Sequence, residues 1–74
     1  MGHNVQFTVL IRGYARREVE AFVEYVEATR GSRDPDQRAA LRAKVHNVAF
    51  RARFCGYDPR EVDAYLDRVE ASLT

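Results

Sequence analysis

The chain has 74 residues and a mass of 8.5 kDa, with 46% apolar residues, 31% charged residues and a net charge of +1. A chain this short builds one small core, and the near-neutral charge argues against a wholesale polyanion binder. The composition is that of a globular protein rather than a disordered tail. The apolar-leaning run from Val5 to Ile11 is far shorter than the ~20 residues of a membrane-spanning helix. The first residues lack the layout of a secretory signal. One cysteine, Cys55, forms no internal disulfide, so the expected compartment is a reducing cytoplasm.

Internal repetition organises the chain. With a shift of 43, residues 3–30 fall on residues 46–73 with thirteen identities in twenty-eight ungapped positions. His3-Asn4-Val5 meets His46-Asn47-Val48, Phe7 meets Phe50, and Gly13-Tyr14 meets Gly56-Tyr57. Arg17-Glu18-Val19 meets Arg60-Glu61-Val62, Ala21 meets Ala64, and Val26-Glu27-Ala28 meets Val69-Glu70-Ala71. The chain is thus one domain, 1–74, of two repeats joined by residues 31–45.

Taken in order, Phe7, Val9 and Ile11 alternate with more polar neighbours, predicting a short extended segment. Gly13-Tyr14 follows, and the glycine is read as permitting a turn. A helix comes next, with Val19, Phe22, Val23 and Val26 forming its apolar stripe. Gly31-Ser32-Arg33 forms a loop. Asp34 and Pro35, with Gln37 as capping partner, start a middle helix of about 13 residues carrying Leu41, Val45 and Val48. Phe50, Ala52 and Phe54 predict a second extended segment, followed by Gly56-Tyr57. Asp58 as N-cap, Pro59 and Glu61 start the last helix, whose stripe is Val62, Tyr65, Leu66, Val69 and Leu73. Ala15 and Arg16 stand where Asp58 and Pro59 do, so the first helix starts with a weaker signal. The expected fold is mainly α: three helices and two extended segments that can pair as a two-stranded ribbon, with a pseudo-twofold relation between the repeats.

The motif Phe, five residues, Gly-Tyr, three residues, then Glu-Val-acidic-Ala-aromatic resembles the DivIVA domain of actinobacterial type. Residues 50–69, FRARFCGYDPREVDAYLDRV, carry the resemblance most closely and residues 7–26 less so. It implies a cytoplasmic module of cell division or polar growth, located at the pole or septum. It also implies a parallel dimer with a coiled-coil start and a hydrophobe–Arg pair before Gly-Tyr that touches the membrane. Here that pair is Ile11-Arg12 in the first unit and Phe54-Cys55 in the second: one lacks the aromatic, the other the arginine. Family members continue into a long coiled coil that this 74-residue chain would not supply.

The resemblance and the residues together select candidate contact sites. The loop tips are Ile11, Arg12, Gly13, Tyr14, Phe54, Gly56 and Tyr57, facing a membrane or a partner groove. A plainer reading has the glycines shape the backbone while the tyrosines pack on the adjacent helix. The helix interface is Val19, Phe22, Val23, Val26, Val62, Tyr65, Leu66 and Val69. Residues 30–53 hold seven basic side chains against two acidic ones, whereas residues 54–74 hold two against five. These opposite signs favour the middle and last helices lying side by side. They also leave a basic run suited to anionic lipid. Without a recognised motif or an aromatic ladder, nucleic acid is not an expected partner.

His3, His46 and Cys55 lack the spacing of a zinc site, and Cys55 reads as a packed thiol. Neither a catalytic constellation nor a cofactor motif is discernible. The leading expectation is a non-catalytic interaction module that forms a homodimer and binds a larger scaffold or division protein. The alternative is a peripheral membrane protein inserting its loop tips, and a weaker one is a small regulatory dimerisation unit. Exposure of Ile11 and Phe54 discriminates: exposed side by side they favour a membrane, and buried they favour partner binding or plain structure.

Overall fold

The computed structural model describes residues 6–73. Its order is β1 (Val9–Tyr14), α1 (Arg16–Thr29), α2 (Pro35–Asn47), β2 (Ala52–Tyr57) and α3 (Pro59–Ser72). The predicted three helices and two-stranded ribbon are all present. The middle helix has the 13 residues expected of it, with the Asp34 carboxylate accepting from the Asp36 amide at 2.9 Å. The Asp58 carboxylate caps α3 in the same way, accepting from the Arg60 amide at 3.0 Å. Ala15 has no side chain with which to cap α1. His3, Asn4 and Val5, which extend the sequence repeat, lie outside the described residues.

In the ribbon Val9 lies opposite Tyr57, Arg12 opposite Phe54 and Tyr14 opposite Ala52, so the strands run antiparallel. Bonds from the Ala15 amide to the Arg51 carbonyl and from the Asp58 amide to the Thr8 carbonyl, both 2.8 Å, extend the pairing at each end. The ribbon also folds back on itself: Tyr14 pairs with Tyr57 as well as with Ala52. At this bend Cys55 takes the left-handed conformation, with φ of 59°, a strained choice for a residue other than glycine. Gly13 and Gly56 are buried within the strands, and neither has positive φ. The predicted glycine turn is therefore corrected. A Cβ on Gly13 would overlap the Tyr57 carbonyl oxygen and the Gly56 main chain, and one on Gly56 would overlap the main chain of Gly13. Close backbone approach, not turn geometry, requires glycine here.

α1 and α3 both leave the ribbon in the same direction. At their far ends the Arg38 guanidinium donates to the carbonyls of Arg30, Ser32 and Ser72, each at 3.4 Å. α2 returns from that end to the ribbon, antiparallel to both. Its Leu41 and Val45 enter a core built from Val19 and Val26 of α1 and from Val62, Tyr65, Leu66 and Val69 of α3, with Leu73 just beyond. The predicted helix stripes are this core, though Phe22 and Val23 are only half-buried at its edge. α2 packs against α3 as the opposite charges suggested, and His46 Nδ1 lies 3.2 Å from the Glu70 carboxylate.

Many tertiary contacts occur twice, offset by 43 residues and with the units exchanged. Tyr14 donates to Asp63 at 3.2 Å, and Tyr57 donates to Glu20 at 2.5 Å. The Thr8 amide donates to Glu61 at 2.6 Å, and the Arg51 amide to Glu18 at 3.0 Å. Phe7 stacks on Tyr57 and Tyr65, whereas Phe50 stacks on Tyr14 and Phe22. Each unit thus lays the start of its strand on the other unit's helix. An isolated unit would leave these aromatic faces in water.

Candidate functional site at the ribbon tip

The bend of the ribbon lies around Ile11 to Gly13 and Phe54 to Gly56. Among the described residues the sheet has two strands, and the side chains around the bend are left largely uncovered. Ile11 is 74% exposed and Phe54 79%, with Val9 and Leu10 exposed beside them. A Phe and an Ile each forgo ~1.5–3 kcal/mol of burial by standing in water. A patch of this kind marks an interaction surface rather than a scattered exposed residue.

The surrounding charge is entirely positive within the strands. Arg12 and Arg53 are exposed on β1 and β2, Arg51 adjoins β2, and neither strand contains an acidic residue. Arg51 lies 3.9 Å from Glu18, so Arg12 and Arg53 are the less committed cations. The ribbon register places Arg12 directly opposite Phe54. The aromatic that the first unit lacks and the arginine that the second lacks therefore stand side by side across the ribbon. Cys55 is exposed next to Phe54, which corrects its reading as a packed thiol.

The other predicted tip residues have structural work. Gly13 and Gly56 carry the crossing, and Tyr14 and Tyr57 are half-buried with their hydroxyls tied to the opposite helix. Burial, then the Asp63 charge and hydrogen bond, raises the Tyr14 phenol above its usual range; the Glu20 hydrogen bond, then burial, raises that of Tyr57. Tyr65 is also held neutral, by burial first and then by its 2.6 Å bond to Glu27. Sequence reasoning did not find that pairing, nor the bond from Arg38 to the Ser72 carbonyl, because both join residues far apart in the chain. His46 sits on Glu70, away from Cys55, and His3 lies outside the described residues. Among the described residues no group of three metal-ligating side chains converges.

No family model, curated protein or solved structure matches the chain. Among the described residues no helix is long and apolar enough to cross a membrane.

Proposed function

We propose that the chain is a non-catalytic, peripheral membrane-attachment module that inserts its ribbon tip into an anionic lipid surface. The observation that carries this reading is the joint exposure of Ile11 and Phe54 on one ribbon whose strands carry exposed Arg12 and Arg53 and no carboxylate. Insertion of the two side chains supplies ~3–6 kcal/mol by area. Arg12 and Arg53, meeting anionic headgroups, add ~1 kcal/mol each. That sum holds a protein reversibly, in the manner of a peripheral module rather than a spanning one.

The two units, in this reading, stand to each other as the two subunits of a DivIVA-like dimer, fused in one chain. The reciprocal contacts offset by 43 residues support it, and so does the sequence resemblance of residues 50–69. Placement at a cell pole or septum, and service to a larger division scaffold, follow from the same resemblance. The partner-groove reading keeps one observation in its favour, since an exposed Phe beside an Arg is also the composition of protein hot spots.

The chain contains no tryptophan, so a Phe54→Trp variant carries a single probe at the tip. Its emission is expected to shift to the blue on addition of vesicles containing phosphatidylglycerol and to remain unchanged with neutral vesicles. An unshifted spectrum in both cases would count against insertion.

A further inference from the structure

The contacts that hold β1, β2, α1 and α3 together run between the two units. β1 pairs with β2, and the reciprocal bonds Tyr14–Asp63, Tyr57–Glu20, Thr8–Glu61 and Arg51–Glu18 each join one unit to the other. The rings follow the same rule, with Phe7 on Tyr57 and Tyr65, and Phe50 on Tyr14 and Phe22. Tyr65 reaches across to Glu27 at 2.6 Å. Within one unit the described side-chain bonds of α1 and α3 are local, as from Arg30 to Glu27 and from Ser72 to Val69. Each unit is thus one half of an interface whose other half follows it in the same chain.

One short segment decides which copy supplies the other half. Residues 31–33 reverse the chain between α1 and α2, and Gly31 is exposed with space around it. Asp34 and Pro35 begin α2 afresh, since a proline bars α1 from running on into it. The reversal is held lightly. The Ser32 amide donates to the Thr29 carbonyl at 2.9 Å, the Ser32 hydroxyl accepts from the Asp34 amide at 3.1 Å, and the Ser32 carbonyl accepts from Arg38 at 3.4 Å. When this segment opens and the first unit of a second copy takes the vacated place, every bond and ring contact between units is remade. α2 keeps its own α3 and packs on the α1 of the second copy, whose Arg30 carbonyl again meets Arg38. The cost is confined to the Ser32 contacts and to bringing two chains together.

We propose that two copies of this chain exchange units across residues 31–33, so that the first unit of each copy pairs with the second unit of the other. A short linker gives the two units of one chain an effective concentration in the millimolar range, so a second copy at ~1 mM competes for the same pairing during folding. The partner is a second copy of this chain, and the interface is the one between its own units. Exchange needs no lipid. Joined to the lipid reading above, on which this consequence alone rests, an exchanged pair presents two ribbon tips and holds a surface with greater avidity.

The test uses the full chain without lipid, so its outcome is independent of the vesicle experiments. Protein unfolded in urea is refolded at ~1 mM and at ~10 µM and analysed by gel filtration with light scattering. A species of twice the 8.5 kDa chain mass is expected at the higher concentration and the monomer at the lower. Refolding 13C-labelled and unlabelled chains together is expected to give interchain NOEs between the Phe7 and Tyr57 rings, whose centroids lie 5.4 Å apart. A variant lacking residues 31–33, in which α1 cannot reverse into α2, is expected to be dimeric even at ~10 µM. The proposal is overturned if wild type refolded at ~1 mM is monomeric throughout. It is also overturned by a dimer without interchain Phe7–Tyr57 NOEs, which is an association of intact copies. A deletion variant that folds as a monomer overturns it equally, and the wild-type result decides alone where that variant does not fold.

Discussion

Gly13 and Gly56 stand at equivalent positions of the two repeats and meet backbone to backbone where the bent ribbon closes on itself. Neither uses a conformation reserved for glycine; what each supplies is the absence of a side chain. The contact lets the strands approach closely on the same ribbon that leaves Ile11 and Phe54 exposed.

A Cβ at either glycine must displace main chain rather than the end of a flexible side chain. Gly13→Ala and Gly56→Ala are each expected to destabilise the fold by about 2–4 kcal/mol. In a domain of this size that is a large fraction of the total stability. Urea denaturation followed by circular dichroism measures it. Gly31, where an added Cβ would meet nothing within 4 Å beyond its chain neighbours, provides the control, and Gly31→Ala is expected to change stability by less than about 0.5 kcal/mol.

The capping asymmetry between the repeats offers a stabilising change. Asp58 caps α3 from a buried position, whereas Ala15, also buried, leaves α1 uncapped. Asp58→Ala is expected to cost about 1 kcal/mol, and Ala15→Asp to add about 0.5–1 kcal/mol. Thermal melts of both variants check the pair, and opposite shifts in Tm are the expected result.

Tyr14, Tyr57 and Tyr65 all have phenols raised above the ordinary tyrosine range of 10.0. A raised folded-state value means that the folded protein favours the neutral phenol. The resulting stabilisation is complete below pH ~10, where the unfolded phenol titrates, and is lost as pH climbs through the higher folded values. Stability is therefore expected to fall as the pH rises above ~10. Tyr65→Phe is expected to cost about 1 kcal/mol at pH 7 by removing the bond to Glu27, and to make the alkaline fall shallower. Urea midpoints at several pH values test both statements.

Much of this architecture was legible in the residues. The 43-residue repeat, the Asp34-Pro35 and Asp58-Pro59 starts and the apolar stripes of α1 and α3 are local signals, and local signals survive folding. The glycines were legible as special but not in kind: glycine at a turn and glycine at a backbone crossing look identical in sequence. Cys55 was misread for a related reason, because burial depends on where the ribbon bends and nothing local specifies a bend at a non-glycine residue. The Tyr65–Glu27 bond and the Arg38 clasp join residues 38, 34 and fewer positions apart, and only the packed helices bring them together. Phe7 and Phe50 fit an alternating strand pattern yet lie outside the strands, stacked on the opposite unit's aromatics.

The central claim is that the ribbon tip holds the protein to anionic membrane, and co-sedimentation with phosphatidylglycerol-containing liposomes tests it most directly. Wild type is compared with an Ile11→Asp/Phe54→Asp double variant, whose positions are exposed enough that the fold should lose little stability. The account predicts that the wild type sediments with the vesicles at low salt and that the double variant stays in the supernatant. Equal sedimentation of the two proteins, or a wild type that remains in the supernatant at low salt, would contradict it.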